Sequence, residues 1–101
     1  MTASIRRLHA DDLEAILQIQ AAAYPELAES PAAIADRLLQ APNWCWGAEH
    51  NGVLSAYLLT HPWRQPEPPL WNTALPLLPA QSTCLYIHDL ALASTARGSG
   101  V

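Results

Sequence analysis

The chain has few basic residues and no long apolar run, and these absences exclude several classes of protein. All five basic residues are arginines, set against nine acidic residues in 101. Because no basic run or stripe is present, the sequence offers no surface for nucleic acid. No apolar run approaches the length of a membrane span, and the N-terminus lacks the apolar core of a signal peptide. We expect a cytoplasmic protein with no membrane or nucleic-acid partner.

Cysteine is also scarce, and the two cysteines do not form a metal-site pattern. Cys45 and Cys84 each lie inside an apolar, strand-like run, with no second cysteine or histidine at ligand spacing. Both are interpreted as small buried side chains in a reducing compartment, although a disulfide between them remains open. No metal site is predicted.

The composition itself indicates one folded domain over residues 1–101. Half of the residues are apolar and 14% are charged, which excludes global disorder. A chain of this length can bury a modest core.

The first half of the chain predicts a strand followed by two helices. Residues 4–9 alternate as a short strand, and Asp11 or Asp12 can cap a helix that ends before Pro25. Tyr24 continues the apolar stripe of this helix, so it is either a core residue or part of a pocket wall. A second helix is predicted to begin at Ser30, a suitable N-cap, and to end before Pro42. Its apolar face consists of Ile34, Leu38 and Leu39.

The middle of the chain predicts a β-hairpin. Residues 43–50 and 53–60 are both rich in strand-favouring side chains, and Asn51 and Gly52 between them favour a two-residue type I′ turn. Residues 61–83 then contain six of the nine prolines and form a long loop. The loop carries Trp63 and Trp71, which either cap the end of the core or wall a substrate pocket.

The last stretch predicts a buried strand that leads into a glycine-bearing loop. Residues 84–93 are almost all apolar or β-favouring, apart from His88 and Asp89. Arg97, Gly98, Ser99, Gly100 and Val101 follow, and a backbone with two glycines can turn several N–H groups toward an anion.

This combination resembles the Gcn5-related N-acetyltransferase (GNAT) family. The cofactor motif of that family is Arg/Gln-x-x-Gly-x-Gly/Ala after the fourth strand, and residues 97–101 fill its first five positions. The order of elements is similar too: strand, two helices, hairpin and a further strand. The resemblance implies an α/β (α+β) fold of the acyl-CoA N-acyltransferase type, with a mixed, mainly antiparallel sheet that is truncated after its fourth strand.

The resemblance implies transfer of an acetyl group from acetyl-CoA to an amine. In the family, backbone groups of the fourth strand bind the pantetheine arm, a role that falls here on Leu90, Ala91 and Leu92. The pyrophosphate would contact the loop from Arg97 to Val101. The acceptor is expected to be a small amine or a protein N-terminal or lysine amine.

Direct transfer needs a general base that removes a proton from the amine. His88 and Asp89 both lie on the fourth strand, where regular alternation would place their side chains on opposite faces. Asp89 is the first candidate. His88 is a close second, because histidine is the side chain whose charge changes closest to neutral pH. Either side chain could instead be structural.

The motif stops one residue short, and this gives an alternative interpretation. As an N-terminal part of the family's domain, the chain would be inactive or impaired as an acetyltransferase. The alternative function is that of a noncatalytic α/β interaction module, derived from an acetyltransferase, which pairs through its exposed strand edge, for example with a second copy of itself.

Overall fold

The computed structural model describes residues 4–64, 68–69, 71–76, 78–79 and 81–93. Four strands in these ranges form one antiparallel sheet in the order β1-β2-β3-β4. The strands are β1 (Ser4–Arg7), β2 (Cys45–His50), β3 (Val53–Trp63) and β4 (Cys84–Leu92). The predicted loop residues Arg97, Gly98, Ser99, Gly100 and Val101 lie outside the described residues.

Two helices connect β1 to β2, as predicted. They are α1 (Leu13–Ala23), which follows a short 3-10 helix (Ala10–Asp12), and α2 (Pro31–Gln40). The predicted cap of α2 is confirmed, because the Ser30 hydroxyl accepts a hydrogen bond from the Ala33 backbone N–H at 3.3 Å. Within the described residues, neither helix is long and apolar enough to cross a membrane.

Asp12 occupies the predicted N-cap position of α1, but its side chain makes no capping hydrogen bond to that helix. Its carboxylate accepts a hydrogen bond from the His9 backbone N–H at 2.7 Å and forms an ion pair with Arg6 at 2.8 Å. The side chain therefore ties the turn before α1 to the first strand.

The hairpin between β2 and β3 is confirmed. Asn51 and Gly52 both have positive φ values, 56° and 77°, which a type I′ turn requires. β3 continues three residues further than predicted, to Trp63, and pairs with β4 along its length. The loop that connects them is correspondingly shorter at its start.

Both helices pack on one face of the sheet and enclose the apolar core. Ile16 and Ile34 from the helices and Leu59 from β3 are completely buried, together with the Cys45 thiol, whose pKa burial raises to about 11. Leu38 is also buried, but Leu39 is 80% exposed. The prediction that Leu39 belongs to the apolar face of α2 was wrong. Ile34 and Leu38 form the buried face of the helix, and Leu39, one residue further on, lies outside that face.

Candidate functional site

β4 departs from regular strand geometry at His88. Leu59 of β3 pairs with Asp89, and the next residue, Thr60, pairs with Ile87, so His88 is an extra residue without a partner on β3. An inserted residue of this kind is a β-bulge, which breaks the alternation of side chains between the two faces. The expectation that His88 and Asp89 point to opposite faces was therefore wrong.

His88 and Asp89 instead line one cleft of about 380 Å³. The cleft lies between β4, the C-terminal part of α1 and the segment that follows it. Its other lining residues are Gln20, Tyr24, Leu27, Glu29, Trp71, Ile87 and Leu90. Two side chains capable of proton transfer thus share one solvent-accessible space.

His88 is held by a partner 59 residues away in the sequence. Its Nε2 lies against Oε1 of Glu29, and both side chains are nearly buried, with 7% and 4% of their surface exposed. Glu29 lies between α1 and α2, in a segment where the sequence predicts only a loop. Sequence reasoning missed Glu29, because no local pattern connects it with β4.

Asp89 has a different partner, also on the sheet. The hydroxyl of Tyr57, which is 1% exposed, donates a hydrogen bond to Oδ2 of Asp89 at 2.7 Å. Burial raises the pKa of Asp89 above its usual range, and the Tyr57 hydrogen bond partly opposes that rise. The carboxyl group is therefore more basic than an exposed aspartate, but one of its oxygens is engaged.

Among the described residues, β4 has no strand partner on the side away from β3, where the backbone groups of Leu90 and Leu92 point. The Ala93 N–H donates to the Ser55 carbonyl at 2.7 Å, which makes Ala56 and Leu92 a non-hydrogen-bonded pair. By alternation, the Ala91 backbone bonds to Tyr57, whereas the N–H and C=O groups of Leu90 and Leu92 face away from β3. Only the backbone groups of Leu90 and Leu92 thus point outward, while those of Ala91 are directed into the ladder, and the coenzyme-binding role of these three residues stays a prediction.

Tyr24 contacts this flank directly. Its hydroxyl donates a hydrogen bond to the Leu90 carbonyl at 2.7 Å, and 37% of the residue is exposed. Of the two interpretations of Tyr24, the structure selects the cleft wall over the core. Its hydroxyl also demonstrates that a polar group in the cleft can reach the open backbone of β4.

Part of the proline-rich segment closes the other side of the cleft. Trp71 is 56% exposed and lines the cleft, so it belongs to the pocket wall. The neighbouring Asn72 anchors the turn: its backbone N–H donates to Oε2 of Glu29 at 2.8 Å, and its Oδ1 accepts from the Ser30 N–H at 2.6 Å.

A buried cation lies beneath the same segment. Arg37 of α2 is completely buried and donates from Nη1 to the Thr73 carbonyl, while its Nε and Nη2 have no hydrogen-bond partner among the described residues. Burial lowers the pKa of Arg37 and also that of His61, which is equally buried on β3. The positive charge of Arg37 interacts with Glu29.

Comparison with solved structures identifies the fold. GphF, a GNAT-like decarboxylase in complex with isobutyryl-CoA, is 22% identical and superposes with a TM-score of 0.83 over 94% of this chain and 51% of that one. The loading GNATL domain of CurA from Lyngbya majuscula is 12% identical, with a TM-score of 0.82 over 100% of this chain and 53% of that one.

A more distant match is an enzyme named for its amine substrate. The ribosomal-protein-alanine N-acetyltransferase from Brucella melitensis biovar Abortus 2308 is 18% identical, with a TM-score of 0.61 over 100% of this chain and 64% of that one. No protein-family model and no curated protein matches the sequence.

The chain therefore has the GNAT fold, as the resemblance in the sequence implied. It spans about half of the length of the two structures with the higher TM-scores.

Proposed function

We propose that this chain belongs to an acyltransferase that moves an acyl group from an acyl-CoA thioester to an amine. One observation carries the proposal: the backbone groups of Leu90 and Leu92 point away from β3, on a side of β4 with no strand partner among the described residues, and Leu90 lines the cleft that also contains His88 and Asp89. The pantetheine arm of coenzyme A is an extended chain with two amides. An open strand edge with outward N–H and C=O groups two residues apart matches such a chain.

The proposed reaction proceeds by direct attack. The neutral amine nitrogen adds to the thioester carbonyl carbon, a C–N bond forms, and the C–S bond breaks with its electron pair moving to sulfur. The proton lost by the amine passes to a base in the cleft, and the coenzyme A thiolate takes up a proton as it leaves. His88 and Asp89 are the candidate bases, since both line the cleft.

Acetyl-CoA is the acyl donor that the resemblance to the GNAT family implies, and isobutyryl-CoA in the GphF complex broadens the set to other short acyl groups. The acceptor is proposed to be a small amine or a protein N-terminal or lysine amine. A cytoplasmic location is part of the proposal and is supported by two cysteines that are both free thiols.

Acyl-CoA decarboxylation is a second candidate, favoured by the description of GphF as a decarboxylase. Loss of carbon dioxide from a 2-carboxyacyl-CoA breaks the bond between the α-carbon and the carboxylate, leaves the electron pair on the α-carbon as a thioester enolate, and requires no amine. A proton source in the cleft, such as protonated His88, would then complete the product.

Calorimetric titration of the purified protein tests the binding half of the proposal. Acetyl-CoA and isobutyryl-CoA are expected to bind saturably, and S-acetylpantetheine is expected to compete, because its arm alone can reach the Leu90 and Leu92 backbone groups. Competition by nucleotide fragments of coenzyme A but not by S-acetylpantetheine would contradict the β4 site.

Turnover assays separate the two reactions. Amide formation with release of free thiol from acyl-CoA should require an added amine, whereas decarboxylation would release carbon dioxide without one. Replacing the active base, by His88→Gln or Asp89→Asn, should lower the transfer rate by about 100-fold or more. His50→Gln, at the β2 turn, is the matched control and should leave the rate unchanged.

A further inference from the structure

Glu29 is a buried carboxylate to which the proposed reaction assigns no role. Only 6% of the residue is exposed, although it lies in the short segment between α1 and α2 rather than in a regular element. Carboxylates are rarely buried to this extent without specific partners. The partners of Glu29 converge from three parts of the chain.

The backbone of Glu29 is fixed by one buried side chain. Gln20 of α1, which is 2% exposed, accepts from the Glu29 N–H and donates to the Glu29 carbonyl, both at 3.2 Å. This reciprocal pair holds the segment against α1 and leaves the carboxylate pointing toward β4.

The carboxylate is fixed as well. Oε2 accepts from the Asn72 N–H at 2.8 Å, and Oε1 contacts Nε2 of His88. A backbone N–H can only donate, the positive charge of Arg37 interacts with the carboxylate, and an ionised carboxylate accepts hydrogen bonds and cannot donate them. The hydrogen between Glu29 and His88 therefore belongs to the Nε2 atom of the imidazole.

We infer that Glu29 is a positioning residue that holds His88 as the Nε2–H tautomer and directs the lone pair of Nδ1 to the reacting amine. A neutral imidazole carries one N–H and one acceptor nitrogen, so fixing the proton on Nε2 makes Nδ1 the basic atom. In serine proteases, a buried carboxylate likewise orients the catalytic histidine and fixes its tautomer. The inference rests on the proposed acyl transfer and selects His88 over Asp89 as its base.

Asp89 is less suited to that role. Its Oδ2 is engaged by the Tyr57 hydroxyl, whereas His88 contacts Glu29 through Nε2 and makes no hydrogen bond through Nδ1 to the described residues. Proton transfer from the amine to Nδ1 would give an imidazolium whose positive charge lies next to the ionised Glu29. That pairing stabilises the charge that develops on the base during the reaction.

Several other ionisable groups face this pair and must be included in any pH profile. Arg37 comes from α2, and the remaining groups interact with His88 or Glu29 from the sheet: Tyr57 and His61 on β3, and Asp89 on β4. Burial disfavours the charged form of His61 and lowers its pKa.

The tautomer of His88 can be measured directly by nitrogen NMR on the full protein labelled with ¹⁵N-histidine. The His88 signals are assigned by their loss in His88→Gln. In the wild type we expect a protonated Nε2 and an unprotonated Nδ1 above neutral pH. Glu29→Gln should lose this preference, because an amide can donate as well as accept. The control Glu26→Gln, on an exposed residue of the same segment, should retain it.

A kinetic measurement distinguishes a positioning role of Glu29 from a purely structural role, in which its contacts only stabilise the fold. Glu29→Gln should lower kcat by about 10-fold or more and change the pH profile of kcat, with KM for acyl-CoA nearly unchanged. Glu29→Asp should recover part of the lost kcat, because it restores a carboxylate. If Glu29 had only a structural role, Glu29→Gln and Glu29→Asp would both be less stable, and the pH profile of kcat would be unchanged.

A wild-type His88 protonated on Nδ1, or an Nε2–H preference that survives in Glu29→Gln, would overturn the inference. Failure of the proposed function would look different. In that case acyl-CoA would neither bind nor turn over in the wild type, while the tautomer measurement would still decide whether Glu29 sets the proton on His88.

Discussion

Two parts of the molecule are built from different chemistry. In the part that we call the apolar end, α1 and α2 pack on β3 with apolar side chains, and Ile16, Ile34 and Leu59 are fully buried. Around β4, the buried side chains are largely polar or charged, and Glu29, Arg37 and His88 contact partners far away in sequence. The apolar end provides stability that many sequences could supply, whereas the polar end depends on particular pairs.

Truncation in the apolar end should have the largest effect on stability. Ile16→Ala removes a completely buried side chain and leaves a cavity, so we expect the free energy of unfolding to fall by about 2–5 kcal/mol. Leu39→Ala, at an exposed position of α2, is the control and should change it by about 0.5 kcal/mol or less. Urea denaturation measures both, and similar losses at the two positions would contradict the location of the core.

Two substitutions of Arg37 distinguish the contribution of packing to stability from that of charge at the polar end. Arg37→Ala should cost about 3 kcal/mol, because it removes a buried side chain and its bond to Thr73. Arg37→Met keeps most of the volume and removes two N–H groups that lack hydrogen-bond partners among the described residues, so it should cost about 1 kcal/mol or less. Equal losses in the two variants would indicate that the charge itself stabilises the fold.

Removing the hydroxyl groups of Tyr57 and Tyr24 in turn compares the stability contributed by a buried hydrogen bond with that of an exposed one. Tyr57→Phe removes a donor to the buried Asp89 carboxylate and should cost about 1–2 kcal/mol in unfolding free energy. Tyr24→Phe removes a bond to Leu90 at the open cleft, where water can replace it, and should cost about 0.5 kcal/mol or less. The reverse order would contradict the burial of the Tyr57 and Asp89 pair.

The ionisation of Asp89 should appear as a small pH dependence of stability. Burial raises the pKa of Asp89 in the folded state, so the fold favours the neutral carboxyl group. The contribution of this preference to the free energy of unfolding is fully present below the usual carboxyl pKa and is lost as the pH rises through the raised value. The stability of the wild type relative to Asp89→Asn should therefore fall as the pH rises from the usual aspartate pKa of about 3.9 through the raised value. A relative stability that rises over this interval would mean that the Asp89 charge is favoured by the fold.

The apolar end and the connections around it could be predicted from the sequence. Helical spacing identified Ile34 and Leu38 as buried, Ser30 and Pro31 marked the start of α2, and Asn51 and Gly52 marked the hairpin. These features are local: each depends on residues within a few positions of one another, and the same physical rules apply wherever such patterns occur.

The polar end could be predicted only in part. His88 and Asp89 were recognised as chemically capable, but strand alternation separated them, since it assumes a regular ladder and the bulge at His88 breaks it. Glu29 and Tyr57 carry no local signal, because their partners are 59 and 32 residues away. Such pairs depend on how the chain returns on itself, which periodicity does not encode.

The central claim is that the open flank of β4 binds the pantetheine arm of an acyl-CoA. An NMR titration with a non-reactive thioether analogue of acetyl-CoA tests it most directly through the backbone amides of β4. The amide signals of Leu90 and Leu92 should shift saturably, while that of Ala91, which is directed toward β3, should shift less. Saturable binding that leaves the Leu90 and Leu92 signals unchanged, or no binding at all, would contradict the claim.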